Sequence, residues 1–319
     1  MILVVGSIAL DSIETPNEKA EDILGGSATF ICGAASKLAP TALVGIVGTD
    51  FPDRYRTLFE NWGVETAGLE VAQGKTFRWS GRYHADMIHR DTLSTELGVF
   101  ETFSPVVPAS LRKASYVALG NIHPDLQHGV LDQIEKPLWV VADTMKLWID
   151  IARDSLERLF PRVDAIVVND EEARQLTGQI SLTAAAADLL AKGPKAVIIK
   201  RGEHGSSLHT GNSLFYSTAF PLHQVADTTG AGDTFLGGLI GWVAKQGRTD
   251  LDTLKQGIQI GSCLASFTVE SFGVDRLNEA SSDELRERLR VLRSLTDVSE
   301  ITFDGFCSGV NGSQKANAR

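Results

Sequence analysis

Cysteine is scarce in this chain: Cys32, Cys263 and Cys307 are the only three thiols in 319 residues, and no two stand at C-x-x-C spacing. An odd, scattered set of this kind excludes a disulfide scaffold and a cysteine-built zinc site, and fits buried thiols in a reducing cytosol. Long apolar runs are missing too. Runs such as Met1–Gly6 and Ala165–Val168 fall far short of the ~20 residues of a membrane helix, and the N-terminus lacks the basic stretch of a signal peptide. A soluble, unexported, cytoplasmic protein is expected, with no membrane partner. Basic residues are outnumbered, 30 Lys and Arg against 40 Asp and Glu, for a formal net charge of −10 with no Lys/Arg block. Such a surface repels duplex phosphates and sets nucleic acid aside as a partner. No internal repeat of fixed period is present, which removes solenoids and propellers.

What is present is ample apolar material: 43% hydrophobic against 22% charged residues, enough to offset the entropy of ordering a globule. The length suits about two domains, or one large α/β domain carrying an insertion. Met1–Ile8 and Thr41–Val47 read as strands apolar on both faces, as in parallel sheets. A helix from a Ser27 cap to Leu38 falls between them, and a second, Asp53–Trp62, opens after Pro52 and stops at Gly63. The alternation continues with strand Tyr116–Leu119, helix Asp125–Ile134, strand Leu138–Ala142, helix Trp148–Leu159 and strand Ala165–Val168. Helices Glu171–Leu176 and Leu182–Ala191 then precede strand Ala196–Lys200 and a hairpin turned at Gly211-Asn212. Helical patterns over Ala231–Lys245, Leu251–Val269 and Ser282–Leu295 close the series. This is the pattern of an α/β fold with a doubly wound, mostly parallel sheet flanked by helices.

Two stretches break the alternation, Thr76–Ala85 and Thr92–Phe103, both rich in β-branched and aromatic residues with no helix between them. Together with the polar segment Ser12–Leu24 they predict a small β-sheet lid over one end of the main sheet. The expected division is an α/β core of residues 1–11, 28–73 and 104–304, a lid of 12–27 and 74–103, and a flexible tail over 305–319. An unpaired lid edge would favour a homodimer by strand addition.

Several motifs resemble sites without meeting their requirements. Gly68 to Thr76 imitates a phosphate loop, but five residues separate its glycines instead of four and no helix follows. The first strand leads into Gly6-Ser-Ile-Ala-Leu, without the glycine spacing that admits a dinucleotide pyrophosphate. Histidines pair five apart at His84/His89, His123/His128 and His204/His209, a spacing that puts partners on opposite faces of a strand, so none is expected to hold a metal.

The string Asp227-Thr228-Thr229-Gly230-Ala231-Gly232-Asp233 stands immediately before an apolar helix. Its glycines leave backbone N–H groups free at a helix N-terminus and let an anion approach without a Cβ in the way. Asp233 falls in the first turn, where the helix dipole favours its ionised form. A carboxylate beside a phosphate cradle can accept the proton of an attacking alcohol while the amides stabilise the transferring phosphoryl group. Phosphoryl transfer to a hydroxyl is the chemistry this predicts.

On that string, D-T-x-G-A-G-D in full, and on Gly25-Gly26-Ser27-Ala28-Thr29-Phe30 near the N-terminus, the chain resembles the PfkB, or ribokinase-like, family of sugar and nucleoside kinases across about residues 1–295. The resemblance implies an α/β core with a β lid, ATP as donor, Mg2+, and transfer onto a CH2OH-type hydroxyl. Residue by residue, it implies Asp233 as catalytic base and Gly230, Ala231 and Gly232 as anion hole. On the acceptor side it implies Asp11, Gly25, Gly26 and, on a looser match, Asn121. Asn169 and Glu172 match its N-x-x-E motif, with Glu172 on Mg2+ through water. Lys200, Gly202 and Gly205 match the nucleotide-side loop, Lys200 standing where threonine is commoner and offering charge to the triphosphate; Thr228 belongs to the same side. Asp227 and Thr229 match a monovalent-cation loop, which would make K+ an activator. Phe30 stands where ribokinase itself has an asparagine that contacts the sugar, a departure that speaks against ribose. The expected function is therefore ATP-dependent phosphorylation of a small sugar or polyol, with a nucleoside kinase, or a non-catalytic sugar- or nucleotide-sensing protein, as alternatives.

Overall fold

Strands that are apolar on both faces need helices on both faces, and the fold meets that demand. The computed structural model describes residues 1–87 and 89–297, so the tail expected over 305–319, and Cys307 with it, lies outside the described residues. The strands are β1 (Ile2–Val5), β2 (Ala9–Glu14), β3 (Lys19–Gly25), β4 (Thr41–Gly48), β5 (Glu65–Ala72), β6 (Phe77–Tyr83), β7 (Arg90–Glu96), β8 (Tyr116–Leu119), β9 (Trp139–Asp143), β10 (Ala165–Asn169), β11 (Ala196–Lys200), β12 (Ser206–Thr210) and β13 (Ser213–Ser217). The helices are α1 (Ser27–Ala35), α2 (Asp53–Asn61), α3 (Pro124–Leu131), α4 (Lys146–Ile151), α5 (Arg153–Leu159), α6 (Asp170–Thr177), α7 (Leu182–Ala191), α8 (Ala231–Gln246), α9 (Leu251–Thr268), α10 (Asp275–Glu279) and α11 (Ser282–Ser294).

A nine-stranded sheet runs β13-β12-β11-β10-β9-β8-β1-β4-β5. It is parallel from β11 to β5, and β12 and β13 complete it antiparallel. Alternate side chains go to opposite faces. Ile2, Val4, Val141, Val167 and Ile198 pack with Phe30 and Ile31 of α1 and Leu236, Leu239 and Ile240 of α8. Leu3, Val5, Val140, Ile166 and Val168 pack with Leu156 and Leu159 of α5, Leu176 of α6 and Leu189 of α7. Each such side chain contributes roughly 1.5–3 kcal/mol by leaving water.

The second sheet has order β3-β2-β6-β7. Asp50, just after β4, ties its base to the main sheet: Oδ1 accepts the Thr76 N–H and hydroxyl, each at 2.7 Å, and Oδ2 accepts from Arg78 at 3.0 Å. β2 begins at Ala9, so Asp11 sits in a strand of this smaller sheet.

Local details differ from expectation for physical reasons. The helix at Gly25-Gly26 is capped by Gly26 at φ 90°, not by Ser27, because Ser27 is drawn into a reciprocal pair with Ser7, each hydroxyl accepting the other's N–H at 3.1 Å; the helix also ends at Ala35. The pattern Trp148–Leu159 divides into α4 and α5 at Ala152, φ −136°, where Arg153 turns to bond the Gln175 and Leu176 carbonyls behind α6. The strand expected over Thr92–Phe103 stops at Glu96, since Phe100 leaves the sheet to stack between Phe77 and Phe103 at 5.5 and 5.6 Å. β5 and α10 have no counterpart in the sequence reading.

Candidate active site

Sequence order along the main sheet reverses between β1 and β8, and ligands of open α/β sheets sit at such a switch, beyond the carboxyl ends of the strands. The predicted site residues lie along that edge. Asn121 follows β8, Asn169 ends β10 and Lys200 ends β11, while the N-terminus of α8 supplies Gly230 to Asp233. Residues Thr228 to Asp233 are all partly accessible, so the glycine turn is not sealed under packed side chains. Hollows of about 210 and 440 Å3 lie elsewhere, beside β5 and between α3 and α5, and contain none of these residues.

The turn into α8 depends on glycine. Gly230 is the N-cap at φ 76°, and a Cβ there would fall 2.3 Å from the ring of Phe30, itself 2% exposed in the core. Phe30 therefore supports the turn from beneath. The Thr234 N–H makes the first bond back to the Gly230 carbonyl, at 2.8 Å, which leaves the amides of Gly232 and Asp233 ahead of the helical ladder. Desolvation by burial and then the nearby Asp143 carboxylate push the Asp233 carboxyl up to about 7, against the opposing pull of Lys200 and Arg90.

Beside Gly232 lies an ion pair that sequence reasoning missed. Lys200 Nζ is 2.9 Å from Asp143 Oδ2, with the side chains 19% and 5% exposed, and a Cβ on Gly232 would fall 2.8 Å from that ammonium. β10 lies between β9 and β11, so Lys200 reaches across one strand to Asp143. Burial works against the Lys200 charge, but Asp143, Glu172 and Asp233 together hold its pKa above the ordinary value. Asn169 and Glu172 form a capping box on α6, each side chain accepting the other's N–H at 2.8 Å. Glu172 is nonetheless pushed up to about 7, chiefly by burial. Capping and a role toward a cation are compatible, because each carboxylate oxygen has its own lone pairs.

Asp11, Gly25 and Gly26 come together as the resemblance implies. A Cβ on Gly25 would overlap the Asp11 carboxylate at 1.9 Å, and the backbone of Gly26 slightly favours its charge. Asp11 is pushed up to about 8 by burial, then by Asp227 and Asp233, and Arg90 opposes them. Arg90 thus faces all three carboxylates from the second sheet, its guanidinium 5.6 and 6.0 Å from the rings of Trp79 and Tyr83. Asn121 is engaged locally: its Oδ1 accepts the Trp148 indole N–H at 2.7 Å and its amide donates to Met145 Sδ at 3.0 Å.

Among the described residues, the second sheet and its turn touch the glycine turn through two hydrogen bonds. Tyr83 and Thr229 hydroxyls lie 2.9 Å apart, and the Thr228 hydroxyl donates to the Met87 carbonyl at 3.2 Å. Asp227 is buried; its Oδ1 accepts the Thr229 N–H at 2.8 Å while Oδ2 has no partner among the described residues. Gly202 (φ 54°) and Gly205 (φ 82°) shape the turn after β11. Asp143 and Arg90 carried no motif. Asp143 reads as the polar end of an apolar strand, and only the strand order aligns it with Lys200.

Comparison with known proteins agrees with this geometry. A family model described as pfkB family carbohydrate kinase matches residues 1–280. A cytidine kinase of Thermococcus kodakarensis is 28% identical over 246 residues, covering 75% of this chain and 87% of that protein. A putative ribokinase II from E. coli, solved with ATP and Mg2+, superposes with a TM-score of 0.75 at 21% identity over 91% of this chain and 99% of its own. A Methanocaldococcus jannaschii nucleoside kinase gives 0.74 at 21% identity over 91% and 98%. With its D-T-x-G-A-G-D turn at the head of α8 and a family match over most of its length, this chain belongs to the PfkB family of carbohydrate kinases, as a sugar or nucleoside kinase.

Proposed function

We propose that the chain transfers the γ-phosphoryl group of ATP to a primary hydroxyl of a small sugar or polyol. The observation that carries this is the pairing of the Asp233 carboxylate, in the first turn of α8, with the amides of Gly230 and Gly232 that stand ahead of the helical ladder. Asp233 takes the proton of the acceptor hydroxyl, while the glycine-turn amides and Lys200 receive the negative charge of the phosphoryl oxygens. Asp11, steadied by Gly25 and Gly26, accepts hydrogen bonds from the acceptor's other hydroxyls, and Asn121 borders that side. Thr228, Gly202, Gly205 and Asn169 line the nucleotide side.

Among the described residues no three His, Cys, Asp or Glu side chains gather into a ready metal cage. That suits Mg2+, which is commonly shared between one or two carboxylates and substrate phosphates. Glu172 would hold it through water, and bound Mg2+ would neutralise phosphate charge. The Oδ2 of Asp227, without a partner among the described residues and with Thr229 beside it, fits a monovalent cation such as K+. The smaller sheet, tied to the turn through Tyr83 and Thr228, acts as a lid that excludes water.

The likeness to cytidine kinase favours a second reading, in which the acceptor hydroxyl belongs to a nucleoside. A coupled assay of ADP release over sugars, polyols and nucleosides separates the two. Failure of every acceptor, with clear thermal stabilisation by one of them, would instead favour a sensor.

A further inference from the structure

Lys200 stands at the wrong end of a helix. Its ammonium lies against Gly232 in the first turn of α8, where the macrodipole is positive and favours anions. The Asp143 carboxylate holds it there, at 2.9 Å, with Glu172 and Asp233 adding to its field. That hydrogen bond uses one of the three donors of the ammonium. The helix terminus and the lysine repel each other, yet each is suited to the same polyanion. Phosphate oxygens between them would turn that repulsion into two attractions, and would compete with Asp143 for the lysine.

Resting on the reading of this edge as a nucleotide site, we propose that Asp143 and Lys200 form an exchangeable pair. In the empty enzyme Asp143 holds the lysine; when nucleotide arrives, Lys200 moves its hydrogen bond to the phosphates. Asp143 then acts as an internal competitor that weakens phosphate binding and eases product release. It is a positioning residue, acting through Lys200. The short reach required is available, since the ammonium already touches Gly232, the centre of the glycine turn.

The proposal reverses the usual sign of a binding-site mutation. Calorimetric titration of ATP and of inorganic tripolyphosphate, with EDTA to remove metal, compares wild type with Asp143→Asn, Lys200→Gln and the double variant. Asp143→Asn is expected to bind both ligands about tenfold more tightly, and Lys200→Gln about tenfold more weakly, each the equivalent of one charge-assisted hydrogen bond. The double variant should match Lys200→Gln, because the competitor matters only while the lysine is present. Unchanged or weaker binding by a folded Asp143→Asn protein, with wild type binding ATP normally, overturns the exchange and leaves the kinase reading intact. Absence of ATP binding by wild type in a parallel titration with Mg2+ present removes the kinase reading itself. A crystal structure of wild type with a non-hydrolysable ATP analogue gives the answer without any variant. Nζ bonded to a phosphate oxygen supports the exchange, and Nζ still on Asp143 refutes it.

Discussion

The carboxylate of Asp11 rests on the α-carbon of Gly25, so closely that a β-carbon there would fall 1.9 Å from Oδ2 and 2.5 Å from the carboxyl carbon. Asp11 is 4% exposed and cannot retreat into solvent without opening the base of the smaller sheet. Gly25→Ala should therefore move the carboxylate off the acceptor, raising acceptor KM by about tenfold or more while leaving ATP affinity in place. Steady-state kinetics with each substrate varied in turn checks this; an unchanged acceptor KM would count against the assignment of Asp11.

Burial of Asp11 also sets a pH dependence of stability. Its pKa rises from 3.8 in the unfolded chain to about 8 in the fold, first through desolvation and then through Asp227 and Asp233. Between those values the native state binds the proton more tightly than the unfolded state does. Its stabilising share is complete below the lower value and is lost as pH climbs through the upper one. Asp233 and Glu172, each pushed up to about 7, act in the same direction. Asp11→Asn should gain stability relative to wild type as pH rises from about 5 to about 8, by on the order of a few kcal/mol. Melting temperatures of both proteins across that range test it, and parallel curves would disprove it.

Gly230 tests the support beneath the glycine turn. Gly230→Ala puts a side chain at φ 76°, costing about 1–2 kcal/mol, and drives a methyl group into the Phe30 ring, costing about 1–3 kcal/mol more. The expected outcome is a lowered melting temperature together with reduced kcat. Adding Phe30→Leu should recover part of the stability, because it relieves the ring contact but not the backbone. No recovery would mean that Phe30 does not carry the turn.

Much of this architecture could be read from the chain. The apolar runs of β1, β10 and β11 are buried on both faces and announced a parallel sheet, and the glycine string announced the start of α8. β5 escaped because it is an edge strand of mixed polarity, with no fully buried residue to mark it. The break at Ala152 escaped because Arg153 bonds to carbonyls more than twenty residues away, an interaction no local periodicity reveals. Lys200 was legible as a cation at the end of β11. Its partner Asp143 was not, because their proximity is a property of strand order and not of spacing. The electrostatic pull of Arg90 on Asp11, Asp227 and Asp233 likewise arises only once the chain is folded.

If Asp233 removes the acceptor proton, as proposed, replacing that single carboxylate by an amide should silence transfer and spare nucleotide binding. Turnover by Asp233→Asn, measured on the best acceptor from the assay panel alongside calorimetric ATP binding, should fall by about 10²–10⁴-fold while ATP affinity is retained. Near-normal turnover by a folded, ATP-binding Asp233→Asn protein would contradict the account.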